Sequence, residues 1–207
     1  MTGTKVVKLK LDAEGVGDKL PKLKDPIVEA AVRVFDENEW VSDAFTDYNN
    51  LDEKLQGISV TEDGLNRVIE IIEASHEPDG ALKRNLGLFV TALVKNSPKN
   101  RFTVRAKNPL TYLGFAMDKG KGITVEGDVG DMTGYHMAGG RVTVKGNAKD
   151  GTGCNMVAGR IVVEGNARDG TGDMMKGGIL DVLGEIREIS NNIYGGEVRH
   201  KGVKVAP

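Results

Sequence analysis

Between Gly127 and Gly184 the chain spells one 19-residue pattern three times, as GDVGDMTGYHMAGGRVTVK, GNAKDGTGCNMVAGRIVVE and GNARDGTGDMMKGGILDVL. Each copy holds one stretch in which alternate positions are apolar, such as Val142 and Val144, then Ile161 and Val163. That period of two predicts a single short strand per copy, at ITVEG, RVTVKG, RIVVEG and ILDVLG. The rest of each copy carries several glycines, and a glycine in a helix interior costs roughly 1 kcal/mol relative to alanine. A helical repeat is therefore excluded. A degenerate fourth copy lies upstream, with Gly114, Met117, Ile123 and Val125 in the matching positions, so the array runs from near Arg101 to near Gly202.

One strand per copy predicts a mainly β fold, a single-stranded parallel β-solenoid (β-helix) in which each copy is one coil. Each position then stacks on its own counterpart about 4.8 Å along the axis. In this register Gly127, Gly146, Gly165 and Gly184 form one column, and Gly134, Gly153 and Gly172 a second. Met137, Met156 and Met175 form a third, and Gly140, Gly159 and Gly178 a fourth. The valines and isoleucines fill the interior, the methionines plug an irregular corner, and the glycines are expected to turn corners with positive φ. Asp128, Asn147 and Asn166 suit such corners because Asx side chains bond their own backbone. A further column, Asp131, Asp150 and Asp169, supplies one carboxylate per coil, too sparse for a calcium-loaded β-roll. It is read as turn chemistry, with Lys149 and Arg168 offsetting the stacked charge.

Residues 1–100 follow a different pattern, and only seven of the 28 glycines precede Gly114. After a strand candidate at Val6 to Leu11, Asp25 and Pro26 give an N-cap and first-turn signal. Ile27, Ala30, Ala31, Val34 and Phe35 then recur at helical spacing. A second helix is predicted from Thr61 or Glu62, burying Leu65, Val68, Ile69 and Ile72. A third runs from about Pro78 to Lys95 through Leu82, Leu86, Phe89, Val90 and Leu93, and Ser97 and Pro98 end it. The acidic stretch Trp40 to Gly57 reads as a loop or short helices, with Trp40, Phe45 and Tyr48 assigned to core packing ahead of a partner surface. Two regimes imply two parts: a mostly α-helical region over 1–100 and the solenoid over 101–207. A solenoid end exposes unpaired backbone and apolar interior, so the helical part is expected to cap it or to dock on another subunit.

Bulk properties narrow the function classes. A net charge of −2 offers no attraction to nucleic acid or an anionic membrane, and no apolar run is long enough for a signal peptide or a membrane span. The expected location is the cytoplasm. The single cysteine, Cys154, excludes an internal disulfide and a self-contained iron–sulfur cluster.

Candidate chemistry is thin. His136 shares its column with Asn155 and Met174, and Cys154 shares one with Tyr135 and Asp173; columns so tolerant are not those of an acid–base or nucleophilic residue. His76 and His200 lie in unrelated contexts. There is no G-x-S-x-G elbow and no phosphate-binding G-x-x-x-x-G-K-[ST] loop. The Gly-x-Gly spacings at Gly151 to Gly153 and Gly170 to Gly172 recur at the coil period and never open a helix. No catalytic, cofactor-binding or metal-binding residue is assigned, and the positions singled out are the repeat columns themselves.

The coil G-N-A-x-D-G-T-G-x-x-M-x-x-G-x-I-x-V-x-G, over about residues 101 to 202, resembles the Gly-rich (GXGXG) β-helix domain family. Members occur at the C-terminal end of the glutamate synthase large subunit, as stand-alone archaeal chains, and as the β-helical subunit of formylmethanofuran dehydrogenase. The resemblance implies a right-handed parallel β-helix without catalytic residues of its own, supporting other subunits of an oxidoreductase complex. It implies that FMN and iron–sulfur groups, or a molybdenum or tungsten pterin, sit in those partners and none on this chain. The expected role is thus a non-catalytic scaffold subunit, glutamate synthase-like first and formylmethanofuran dehydrogenase-like second. A stand-alone binding or homo-oligomerisation module is the remaining reading. This sequence departs from the family in its short array, in its helical half, and in Gly130, which becomes Lys149 and Arg168 in later coils.

Overall fold

The computed structural model describes residues 25–41, 43–76 and 79–207. Four helices precede the array: α1 (Pro26–Asp36), α2 (Ala44–Lys54), α3 (Glu62–Ser75) and α4 (Gly80–Asn96). Seven strands follow: β1 (Arg101–Val104), β2 (Gly122–Val125), β3 (Ala138–Val144), β4 (Ala158–Val163), β5 (Lys176–Val182), β6 (Gly195–His200) and β7 (Val203–Ala206). They form one sheet in strict sequence order. The first six run parallel, and β7 turns back antiparallel on β6.

Sequence-adjacent strands that lie parallel require a full circuit of chain between them, which is a solenoid coil. The pairs Ile123 with Val142, Val142 with Ile161 and Ile161 with Leu180 show the 19-residue coil directly. A second face repeats it, in parallel bridges from Leu110 through Val129, Ala148 and Ala167 to Ile186. Ile123, Val142, Ile161 and Leu180 are buried in the interior, as are Met137, Met156 and Met175.

The glycine columns divide by cause. Gly134, Gly153, Gly172, Gly140, Gly159 and Gly178 all have positive φ and turn corners. In the first column only Gly127 does. Gly146, Gly165 and Gly184 are glycine because the coil beneath is too close: a Cβ on Gly165 would lie 2.6 Å from Gly146 O. The methionine column and one glycine column interlock. A Cβ on Gly159 would lie 2.8 Å from Met137 Cε, and one on Gly178 would lie 2.5 Å from Met156 Cε. Each methionine thus fills the space that the glycine of the following coil leaves empty.

The Asx column also works differently from expectation. Its side chains bond the next coil, not their own backbone: Asp128 Oδ1 accepts from Asn147 N at 2.7 Å, Asn147 Oδ1 from Asn166 N at 2.9 Å, and Asn166 Oδ1 from Glu185 N at 2.7 Å. Asp131 and Asp150 likewise accept from the main chain of Asp150 and Asp169. The stacked carboxylates are offset by these N–H groups and by Arg187, 3.0 Å from Asp169. Lys149 and Arg168 form no ion pair with them among the described residues.

The helical predictions hold with adjustments. Asp25 caps α1 and Thr61 caps α3, whose Leu65, Val68, Ile69 and Ile72 are buried. The buried face of α1 is Val28, Ala31, Val32 and Phe35, one position round from the predicted one, and Ile27 is 45% exposed. Asp43 caps α2 within the stretch read as a loop or short helices. Helix α4 starts at Gly80 with Asp79 as its cap, and Leu88, Ala92 and Val94 are buried along with the predicted face. Burial all round marks a helix with neighbours on every side. The strand candidate at Val6 to Leu11 lies outside the described residues, as does Pro78.

Gly153→Val should destabilise the array by at least about 2 kcal/mol, because a β-branched residue is forced left-handed and its Cβ would lie 3.0 Å from Leu180 Cδ2. Urea unfolding checks this; an unchanged midpoint would show that the corner does not need glycine.

Candidate functional site: the cap and the surface it leaves

The first coil has no coil beneath it, so its downward main-chain groups need partners from elsewhere. Helix α3 provides them through Glu62, Asn66 and Glu73, whose spacing keeps all three on one helical face. Glu62 Oε2 accepts from Thr103 N at 2.9 Å. Asn66 Nδ2 donates to Thr103 O at 2.8 Å, while its Oδ1 accepts from Arg105 N at 2.7 Å. Glu73 accepts from Lys107 N at 3.0 Å and Asn108 N at 2.8 Å. Helix α4 continues the series: Lys83 O accepts from Thr111 N at 3.1 Å, and Thr91 Oγ1 from Gly114 N at 2.9 Å. The contact is close enough that a Cβ on Gly87 would fall 1.9 Å from Thr111 O. The helical half is a cap, and it stands in for a missing coil.

This also accounts for Gly130. A Cβ there would sit 2.3 Å from Thr111 Oγ1 and 2.8 Å from Thr111 N, in the first coil that the cap holds down. The loop around Lys107 adds two residues to the 19-residue circuit, since β1 pairs with β2 at an offset of 21 while Leu110 and Val129 keep 19. Glu73 grips the inserted loop.

Sequence reasoning missed two contributors. Thr133, Thr152 and Thr171 form a buried column in which each hydroxyl donates to the carbonyl three residues earlier, at 2.9 to 3.1 Å. The T-G pair repeated in all three copies was the available signal. The cap residues Glu62, Asn66 and Glu73 look like ordinary helix-surface polar groups in sequence, and no local pattern marks them.

Along one side, helix α2 covers a corner of the solenoid. Tyr48 is buried against Phe115, and Phe45, 43% exposed, packs edge-on to Phe115 and His136 at 4.9 Å each. Trp40 packs on Phe35 at 5.2 Å. Asp47, fully buried, receives both Arg84 guanidinium nitrogens at 2.7 and 2.8 Å and Val41 N at 2.9 Å, fixing α2 to α4.

His136 and Cys154 are brought to this corner on successive coils. His136, Asn155 and Met174 all adopt left-handed backbone, which the asparagine in that column anticipates. Burial pushes the His136 imidazole down, with Lys176 adding to the effect, and pushes the Cys154 thiol up. Both groups are therefore neutral at pH 7, the opposite of a thiolate–imidazolium pair. Asn155 Nδ2 lies 3.5 Å from Cys154 Sγ, and Asp173 receives Ser190 Oγ at 2.6 Å. His76 lies apart, 3.5 Å from Asp36 at the far ends of α3 and α1, and His200 lies 3.7 Å from Glu185 near the last coil.

A groove of about 450 Å³ runs between α3 and the Arg105 loop. Most of its charges are partnered, Arg67 with Glu70 at 2.6 Å, Arg105 with Glu126 at 2.9 Å and Glu73 with the loop backbone, while Asp63 and Lys107 on its rim form no ion pair among the described residues. Among the described residues no group of three or more His, Cys, Asp or Glu is arranged to hold a metal, and no helix is long and apolar enough to cross a membrane.

The Thr103 amide, ahead of Lys99, holds the Glu62 carboxyl below the usual glutamate range. A lowered carboxyl pKa stabilises above the unfolded value and loses that contribution as pH falls through the folded one. Wild-type protein should therefore lose stability on acidification below about pH 4, and Glu62→Gln should lose less over that interval. Asn66→Ala should cost about 1–2 kcal/mol at pH 7, because it orphans two main-chain groups. Urea midpoints against pH check both; equal pH slopes for wild type and Glu62→Gln would remove Glu62 from the cap. No family model, curated protein or solved structure matches the chain.

Proposed function

We propose that this chain is a non-catalytic scaffold subunit of a multi-subunit oxidoreductase, most like the β-helical module of glutamate synthase. The observation that carries the reading is where the polar side chains go. Glu62, Asn66, Glu73 and Thr91 are spent on the cap, and the Asx and Asp columns on inter-coil bonds. At the corner beside α2, the His136 imidazole and the Cys154 thiol are both neutral at pH 7. A body whose reactive groups are committed to holding coils together is suited to keeping partners at fixed separation. The repeat-column resemblance selects the partner class: flavin- and iron–sulfur-bearing subunits, with a cytoplasmic setting. The same columns also resemble the β-helical subunit of formylmethanofuran dehydrogenase, which makes a molybdenum or tungsten pterin partner the second reading. Exposed Tyr194, Val203 and Val205 near the last strands favour association over a solitary role.

The test is gentle affinity purification of the tagged chain from its native cells, with mass spectrometry and flavin and metal assays on what co-elutes. Stoichiometric flavoprotein and amidotransferase subunits are expected; a pterin–metal partner would select the second reading, and elution alone would overturn both. In the complex, His136→Ala should leave folding and the associated activity within about twofold of wild type, since its column also accepts Asn and Met. A large activity loss in a well-folded His136→Ala complex would contradict a purely structural His136.

A further inference from the structure

Arginine opens β1, and the same column holds Arg141 on β3 and Arg160 on β4, with Gly122 interrupting it on β2. In-register positions on neighbouring coils are about 4.8 Å apart, so Arg141 and Arg160 place like charges one above the other. At Arg160 the chain supplies the answer itself. Asp181, on the next strand and two positions further along, sets its carboxylate on the Arg160 guanidinium and is buried there. The same diagonal position is Val162 for Arg141 and Thr124 for Arg101. Neither is a carboxylate. Arg101 and Arg141 are exposed, and among the described residues neither makes an ion pair.

Gly122 brings these two together. It has no side chain, and the Arg101 stem runs over it, with Cγ 3.6 Å from where a Cβ would stand. Arg101 and Arg141 thus stand one coil to either side of a residue without a side chain, in one column of the outward sheet face, and neither has an ion-pair partner among the described residues. Lys121 adds positive charge next in sequence, its Nζ donating to Ser97 O.

We infer that the gap over Gly122, between Arg101 and Arg141, binds a carboxylate supplied from outside the chain. The guanidinium fork matches a carboxylate in two parallel hydrogen bonds, and Asp181 on Arg160 displays the chemistry that fits this sheet face. The carboxylate comes either from a free dicarboxylate or from an acidic segment of a partner protein. The inference is independent of the scaffold reading, because it concerns a binding equilibrium of the isolated chain.

The experiment follows the arginine Nε–Hε NMR signals of the full chain during titration with succinate, and separately with an octaglutamate peptide, at low salt. Saturable shifts at Arg101 and Arg141 are expected. Arg141→Ala should weaken binding about fivefold or more. Val162→Asp should do the same, by giving Arg141 the internal partner that Arg160 has, while Arg187→Ala on another face leaves binding unchanged. Saturation by succinate identifies a free dicarboxylate, and a response to the peptide alone identifies a partner's acidic segment. No saturable shift with either probe, or equal binding in Val162→Asp, would overturn the inference.

Discussion

Everything in this protein depends on main-chain hydrogen bonds between one coil and the next. Because the central coils are 19 residues long and in register, a residue's main-chain partner there lies in the next coil at or beside its own counterpart. Side chains inherit that geometry. The Asx side chains of one coil bond the backbone of the next, and each methionine methyl occupies the hollow at the following coil's glycine. A column is therefore the physical unit on which substitution acts, and a residue is tolerated or not according to what stands one coil above and below it.

Such a ladder is only as secure as its ends, and the two ends differ. At the start, α3 and α4 offer side-chain and main-chain partners to Thr103, Arg105, Lys107, Asn108, Thr111 and Gly114. At the finish, Lys201 and Gly202, both with positive φ, form the tight turn that sends β7 back antiparallel along β6. Strand β7 is short, its pairing is irregular, and it carries Lys204 and ends beside Pro207, features that discourage further strands from adding on. Surfaces open to interaction include the outward sheet face, the corner beside α2 and the exposed Tyr194, Val203 and Val205 near the last strands.

The solenoid was legible because repetition exposes every column three times over. A pattern at Val142 and Val144 that recurs at Ile161 and Val163 admits few architectures. The cap was legible only in kind. The N-cap signals at Asp25 and Thr61 placed two helices correctly, yet Glu62, Asn66 and Glu73 act on residues 34 to 41 positions away in sequence, and no local pattern encodes such a contact. The face of α1 was misread by one position because Ile27 and Val34 are apolar but lie outside its buried set. For the Asx column the right residues carried the wrong bonds: single-coil turn chemistry was assumed where stacking offered a donor in the neighbouring coil.

Native-state hydrogen exchange across the whole array tests the central claim most directly. If α3 and α4 replace a missing coil, the amides of Thr103, Arg105 and Gly114 should exchange with opening free energies close to those of the interior strands around Val144 and Val163. A steep loss of protection toward the first coil, with the central coils unaffected, would show that the helices merely lie beside the solenoid and that its end is open.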